Sequence, residues 1–252
     1  MIKPYFQDEW QTIYCGDVLE VLPQIERVDM VFADPPFNMS KNYGGNVKGD
    51  QMSDADYRKW CARWMELCWN IIVPTGSFYL MTVPKHVEWK MPIMSKYGLM
   101  INLIIWRSGN IRLPGRALLG AYQPIMLYGK SGEFITNRQK GESTDFWDIQ
   151  VITGVQAEAI KAERGSHRKE HPCQMPVEIG ERAIKFSTNK DMIVLDPFMG
   201  SGTIARAAKR LRRKFIGIDR VERYCEMAVH TCMQETFEIE EVPDKIEQET
   251  FL

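Results

Sequence analysis

The sequence has no long uncharged apolar run and no hydrophobic export signal at its amino end. No stretch approaches the roughly 18 apolar residues that a membrane-spanning helix needs, so a membrane protein is not expected. The first ten residues, MIKPYFQDEW, include acidic side chains and no apolar core, which is unlike a secretory signal. We therefore expect the protein to remain in the cytoplasm.

Paired cysteines are also lacking. The six cysteines form no C-x-x-C pair, which is the spacing of zinc ribbons and thioredoxin-like sites. Cys61 and Cys68 are two helical turns apart within an apolar stripe, so we expect free, buried thiols. The cysteines thus predict no bound metal and no disulfide.

Charge is distributed unevenly, although the formal net charge is only −1. Residues 235–252 hold seven acidic residues and one lysine, and the other 234 residues carry 31 basic against 26 acidic side chains. A mildly basic body with an acidic tail is compatible with an enzyme acting on nucleic acid, and with many unrelated proteins. The length of 252 residues favours one large core.

Short apolar runs alternate with amphipathic helices along most of the chain. Two helices are predicted, one starting at the capping pair Ser53 and Asp56 and one spanning residues 203–213 after a glycine turn. Seven runs are typical of strands buried on both faces: 12–17, 28–33, 77–81, 99–106, 122–128, 193–196 and 214–219. This alternation predicts an α/β domain with a largely parallel sheet.

The first group of residues suited to chemistry is Asp34-Pro35-Pro36-Phe37, directly after the apolar run VDMVFA. Ligands of parallel α/β sheets bind beyond the carboxyl ends of the strands, and two prolines make the turn there rigid. The turn presents a carboxylate, backbone carbonyls and an aromatic ring. These groups could accept hydrogen bonds from an aromatic amine, stabilise positive charge developing on its nitrogen, and stack on its ring. A rigid surface turn is the alternative interpretation.

A second group runs from Asp196 to Thr203 as DPFMGSGT, between a strand and a helix. Gly200 and Gly202 allow close approach of the backbone to a ligand, and the amides at the helix start suit an anionic group. Asp219 ends the next strand, 23 residues after Asp196, where an acidic residue can bind ribose hydroxyls. A third element, Gly16-Asp17, also follows a strand, and by itself it is typical of an ordinary turn.

Together these segments resemble the β-class amino-methyltransferases of DNA. In that family the D-P-P-aromatic motif precedes the cofactor motif F-x-G-x-G, and here Asp34 precedes Phe198 by 164 residues. Pro74-Thr75-Gly76-Ser77 and His171-Pro172-Cys173-Gln174-Met175-Pro176 are similar to further family segments. In the latter segment Met175 stands where the family usually has lysine. Either Ser201, Thr203 or Gln174 then takes over the contact with the cofactor carboxylate, or the protein binds the cofactor more weakly.

The resemblance implies a seven-stranded, Rossmann-like S-adenosylmethionine-dependent methyltransferase sheet with circularly permuted motif order and a small target-recognition insertion. It implies S-adenosyl-L-methionine as methyl donor, double-stranded DNA as substrate, a flipped target base and frequent homodimers. The catalytic half is expected at 1–107, target recognition at 108–170 (with one core strand near 122–128), the cofactor half at 171–234 and an acidic tail at 235–252.

Roles are assigned to residues by their positions in the family motifs. Asp34, Pro35, Pro36 and Phe37 are expected to hold the base. The expected cofactor residues are Asp17, Asp34, His171, Gln174, Asp196, Phe198, Gly200, Ser201, Gly202, Thr203, Asp219 and Arg220. Candidate DNA contacts are Arg112, Arg116, Arg138, Lys140 and Arg168. His171 could instead be a structural histidine, and the basic residues of 206–213 are expected to form a solvated helix face.

Several functions remain open within this resemblance. N6 of adenine is the expected target, because Asp rather than Ser precedes the prolines; N4 of cytosine is the alternative on the same fold. RNA and protein-glutamine methyltransferases commonly have N-P-P and the opposite motif order. A catalytically weak DNA-binding relative is the alternative from another class, and the intact Asp34 and glycines oppose it.

Overall fold

The computed structural model describes residues 2–39, 51–107, 120–138, 143–150 and 175–233. Within these ranges the strands form one mixed sheet in the order β1-β2-β9-β8-β3-β4-β6-β5-β7. The strands are β1 Phe6–Gln7, β2 Gln11–Cys15, β3 Val28–Ala33, β4 Ile72–Met81, β5 Leu99–Arg107, β6 Tyr122–Gly129, β7 Phe146–Asp148, β8 Ile193–Asp196 and β9 Lys214–Asp219. The helices are α1 Val18–Val21, α2 Asp54–Ile71, α3 Pro84–Met94, α4 Val177–Ser187, α5 Thr203–Arg210 and α6 Glu222–Met233, with a 3-10 turn at Leu22–Gln24.

The predicted α/β sheet is confirmed, and all seven predicted strands are present. Strands β2, β9, β8, β3 and β4 run parallel to one another, and β6 is antiparallel to both β4 and β5. The sheet also contains β1 and β7, which sequence patterning missed because two or three residues are too few to establish an alternation. Strand β6 lies inside the sheet, so the stretch 108–170 contributes directly to the core.

Helices cover both faces of the sheet, as its apolar strands require. Alternate residues of β3 point to opposite sides: Met30 and Phe32 belong to one apolar cluster, and Val31 and Ala33 to the other. Helix α2 packs on the second cluster, and α4, α5 and α6 pack on the first. No helix in the described part of the chain is long and apolar enough to cross a membrane.

The start of α2 follows the sequence prediction. The Ser53 side chain accepts a hydrogen bond from the Asp56 amide at 3.1 Å and donates to the Asp56 carboxylate at 2.7 Å. Behind this cap, Cys61 and Cys68 are fully buried free thiols, as predicted. Their position within the apolar stripe of α2 therefore determines their role as small hydrophobic residues.

The predicted extent of the second helix is wrong. Helix α5 ends at Arg210, because Arg212 turns into the left-handed region at φ 55° and the chain enters β9. Arg213 is only 4% exposed, and its guanidinium donates to Oγ1 and the carbonyl oxygen of Thr188. The expected solvated face is also corrected at two other positions: Arg210 pairs with Glu181 on α4 at 3.0 Å, and Lys209 donates to the Cys232 carbonyl.

Candidate active site

A cavity of about 260 Å³ opens at the carboxyl ends of the parallel strands. Asp17 follows β2, Asp34 follows β3, Asp196 ends β8 and Asp219 ends β9. Because these four strands are neighbours and run in the same direction, their carboxyl ends meet at one edge of the sheet. Two motifs that are 164 residues apart in sequence thus face the same space.

Most of the predicted site residues that the structure describes line this cavity. They are Asp17, Asp34, Pro35, Pro36, Phe37, Asp196, Phe198, Gly200, Ser201, Thr203, Asp219 and Arg220. His171 and Gln174 lie outside the described residues. Met175, at the position where the family usually has lysine, is also part of the wall.

Gly202 contributes to the site through the backbone and does not line the cavity. Its φ is +85°, and a Cβ atom there would lie 2.9 Å from the backbone Cα of Ala228 on α6. Gly200 is also left-handed, at φ 52°, and its N–H donates to Asp219 Oδ2 at 2.9 Å. The glycine turn is therefore held against β9 and α6, which positions the start of α5 at the cavity.

The turn Asp34-Pro35-Pro36-Phe37 is held by residues that the sequence prediction did not include. Tyr57 on α2 donates its hydroxyl to the Pro36 carbonyl at 2.8 Å. Asn38, at φ 55°, donates its amide to the Met52 carbonyl at 2.9 Å and accepts from the Met52 amide at 2.8 Å. An asparagine directly after the motif was an available signal, since asparagine tolerates left-handed turns and bonds to nearby backbone.

Aromatic residues form the apolar part of the wall. Trp60 on α2 lines the cavity with Phe198, at a ring-centre distance of 5.5 Å. The three- and four-residue spacing of Trp60 and Trp64 with the other apolar residues of α2 is typical of core positions. Trp64 is fully buried as expected, whereas Trp60 is half-buried and also borders the cavity. A flat apolar ligand could pack against this wall.

The carboxylates of the cavity influence one another. Burial raises the pKa of Asp196 well above its usual value; the Phe198 N–H opposes this shift, and the negative charges of Asp34 and Asp219 add to it. Burial also raises the pKa of Asp219 to about 6, against the lowering effect of the Val221 and Gly200 amides. Desolvated acidic groups that repel one another favour a ligand that carries positive charge and hydrogen-bond donors.

Asp17 has a structural role in addition to any ligand contact. Its side chain accepts a hydrogen bond from the Leu19 amide at 2.9 Å and caps α1. This bond fixes the carboxylate at the cavity edge next to β2. Asp17 is thus both a helix cap and a candidate ligand group.

The structure describes only one of the candidate DNA contacts. Arg138 is exposed and borders a second cavity with Arg182 and Lys185 of α4. Arg112, Arg116, Lys140 and Arg168 lie outside the described residues. The assignment of these five residues to DNA binding stays a prediction.

Known proteins share both the sequence and the fold. The family described as DNA methylase, of the N6 and N4 type, matches residues 28–230. The type II methyltransferase M.HinfI of Haemophilus influenzae is 30% identical over 254 residues, covering 90% of this chain and 70% of its own. The type II methyltransferase M.BamHI of Bacillus amyloliquefaciens is 29% identical over 242 residues; the match covers 86% of this chain and 56% of the M.BamHI chain.

Two solved structures agree with this sheet architecture. The structure of the M1.HpyAVI–SAM complex has a TM-score of 0.64 at 24% identity, and the match covers 88% of this chain and 99% of that one. The PvuII DNA methyltransferase, described as cytosine-N4-specific, has a TM-score of 0.69 at 18% identity, with 97% and 91% covered.

The α/β sheet, and the carboxylates that converge at its edge, define the class of α/β methyltransferases. Within that class, the chain belongs to the N6 and N4 DNA methylase family, which its sequence matches over 203 of 252 residues. Relatives and structural neighbours do not separate adenine from cytosine as the target.

Proposed function

We propose that this protein transfers a methyl group from S-adenosyl-L-methionine to N6 of an adenine in double-stranded DNA. The observation that carries the proposal is the convergence of Asp34 and Phe37 with Asp196, the glycine turn and Asp219 around one cavity. In this arrangement the group that would hold the target amine and the groups that would hold a methyl donor face each other.

The cavity fits S-adenosylmethionine by charge and by shape. That donor carries a positive sulfonium and an ammonium group, and the cavity offers the buried carboxylate of Asp196, whose pKa is raised by burial and by the negative charges of Asp34 and Asp219. Its adenine ring is flat and could stack on the aromatic wall formed by Trp60 and Phe198. S-Adenosylmethionine supplies an electrophilic methyl group bound to sulfur.

The individual contacts of the donor are proposed from the family motifs that the chain resembles, and most of these residues line the cavity. Asp219, with Arg220 beside it, is proposed to accept the ribose hydroxyls, and Asp17 to contact the adenine. The methionine part is proposed to lie against Phe198 and the start of α5. The further residues proposed for that side are Asp196, Gly200, Ser201, Gly202 and Thr203, with His171 and Gln174.

Asp34 and Phe37 are proposed to act on the target base. The exocyclic nitrogen is a weak nucleophile, because its lone pair is delocalised into the ring. The Asp34 carboxylate and the Pro35 carbonyl would accept its two N–H groups, favour tetrahedral geometry and stabilise the developing positive charge. Phe37, 9% exposed in the cavity wall, would stack on the base. The base must leave the duplex stack, because its amine is otherwise inaccessible.

Methylation of N4 of cytosine is the second candidate. The fold match to the cytosine-N4-specific PvuII methyltransferase favours it. Asp34 favours adenine, since serine is more usual before the two prolines in the cytosine enzymes that the motif resembles. Both reactions would use the same groups, so the nucleoside product decides between them.

The proposal is tested by transfer of labelled methyl from S-adenosylmethionine to unmethylated genomic DNA. Asp34→Ala should abolish labelling, while Asp54→Ala, an exposed acidic residue at the start of α2, should leave it unchanged. Nucleoside analysis should yield N6-methyladenine; N4-methylcytosine would establish the second candidate. Equal labelling by wild type and Asp34→Ala would refute the mechanism, and no labelling by wild type would indicate a DNA-binding relative without activity.

A further inference from the structure

Lys90 on α3 is a charged side chain in the interior of the protein. It is 0% exposed, and among the described residues its Nζ atom has no hydrogen-bond partner. The ammonium instead lies over three aromatic rings, 5.8 Å from the centre of Phe37, 6.0 Å from Tyr57 and 5.5 Å from Trp89. Lysine is almost never fully buried without an ion pair or hydrogen bonds, so this position calls for a physical explanation.

Two of the three rings are connected with the turn that presents Asp34. Phe37 is part of that turn, and Tyr57 donates its hydroxyl to the Pro36 carbonyl. Phe37 lines the cavity whereas Lys90 does not, so the ammonium contacts the ring from the protein interior. Lys90 therefore lies behind the proposed base-binding turn.

The charges that face Lys90 can be named element by element. From the turn after β3 comes Asp34, whose negative charge raises the pKa of Lys90. From α2 come Tyr57 and Cys61, and burial raises the pKa of the Cys61 thiol, which keeps it neutral. On α3 itself lies His86, whose pKa is lowered to about 3 by burial first, then by Lys90 and Lys85 of α3 and by Arg58 of α2.

Lys90 and Asp34 therefore attract each other, since the negative charge of Asp34 raises the pKa of Lys90. Asp34 also experiences negative charge from the opposite direction, since it and Asp196 interact unfavourably across the cavity. An ionised carboxylate is needed to accept hydrogen bonds from the target amine. A positive charge behind the turn would favour that ionised form before substrate binds.

We propose that Lys90 is a positioning residue for methyl transfer, whose buried ammonium keeps Asp34 ionised and holds Phe37 in the orientation needed for stacking. The inference rests on the proposed role of Asp34. Burial lowers the pKa of Lys90 to about 8, so the ammonium is present at neutral pH and is lost as the solution becomes alkaline.

The test compares Lys90→Met with wild type in single-turnover methylation of DNA across pH 5 to 10. Removing the ammonium should move the acidic limb of the rate profile up by about one pH unit, which is about tenfold in rate on that limb. Above about pH 8, where wild type itself loses the Lys90 proton, the two profiles should converge. Lys90→Arg should retain the wild-type acidic limb, and the exposed Lys85→Met on the same helix should match wild type throughout. A Lys90→Met profile that is lower but unshifted in pH would overturn the proposal.

A second measurement does not depend on activity or on the folding of Lys90→Met. In wild-type protein labelled with ¹³C at the lysine ε carbon, the Lys90 resonance should titrate with a pKa near 8. It is assigned by its absence from Lys90→Arg. In Asp34→Asn its midpoint should fall further, because the attraction of the carboxylate is lost. An unchanged Lys90 midpoint in Asp34→Asn would overturn the proposed interaction between Lys90 and Asp34. If the midpoint shifts but the wild-type protein does not methylate DNA, only the proposed function is contradicted.

Discussion

Replacing Lys90 with methionine should make the protein more stable at pH 7 while slowing methyl transfer. The lowering of the Lys90 pKa from 10.5 to about 8 measures how strongly the folded state disfavours the ammonium. It corresponds to about 3 kcal/mol. Methionine is unbranched, similar in length and adaptable, so it can fill the space among the aromatic rings with little strain. The expected gain in the free energy of unfolding is therefore about 3 kcal/mol at pH 7.

The difference in stability between the two proteins should depend on pH, and the lowered pKa of Lys90 sets the direction of that dependence. Between pH 8 and 10.5 the unfolded chain binds the Lys90 proton more strongly than the folded protein does. Raising the pH through this range stabilises wild type relative to its unfolded state, because the folded protein no longer carries the buried charge. Lys90→Met lacks this group, so its stability advantage should shrink as the pH approaches 10.5.

Urea unfolding followed by far-ultraviolet circular dichroism at pH 7 and pH 10 measures both quantities. The difference between the two proteins is the observable, because the other titrating groups are common to both and cancel. The exposed Lys85→Met should stay within about 0.5 kcal/mol of wild type at either pH. A Lys90→Met protein less stable than wild type at pH 7, or a difference that does not narrow at pH 10, would refute the argument.

Three further outcomes are expected. Because the pKa of Asp219 is raised to about 6, its carboxylate becomes protonated below that pH. Titration calorimetry should therefore show the affinity for S-adenosylmethionine falling by up to about tenfold per pH unit below pH 6. An affinity that is unchanged between pH 7 and pH 5 would contradict this. Gly202→Ala should lower the free energy of unfolding by about 1–3 kcal/mol, since φ is +85° and the new Cβ would lie 2.9 Å from Ala228. Gly132→Ala, which meets nothing within 4 Å, is its control in the same urea titration, and equal stabilities would count against the strain argument. Met175→Lys should retain S-adenosylmethionine binding or tighten it, because the added positive charge would lie in the cavity wall and could attract the donor carboxylate. Loss of binding in the calorimeter would contradict this.

Local sequence was sufficient to predict the features that depend on near neighbours. The start of α2 at Ser53 depends on a side chain and an amide three residues apart, so the capping pair identifies it. The strand before Asp34 is long and apolar enough to be recognised without its partners. β7 spans only three residues and pairs with β5, which lies far away in the sequence, so no local pattern predicts it.

The burial of individual charged residues could not be predicted from the local sequence. Arg213 and Lys90 carry charge and would be placed at the surface by composition alone, yet both are buried. Arg213 is buried because Thr188, 25 residues away, supplies acceptors for its guanidinium. Lys90 is buried because the turn after β3 and helix α2 close over it. Burial of such groups depends on contacts between distant segments, which a pattern read along the chain does not contain.

The sequence by itself determined the chemistry: the residue types at Asp34, Phe37, Gly200 and Asp219 and their order already predict transfer of a methyl group to an amine. Only the tertiary structure decided that these residues share one cavity, because adjacency of β2, β9, β8 and β3 results from strand pairing across the whole chain. It also decided which residues support them. Tyr57 and Lys90 lie in no recognisable motif, and they acquire a role only because folding brings them against the turn that presents Asp34.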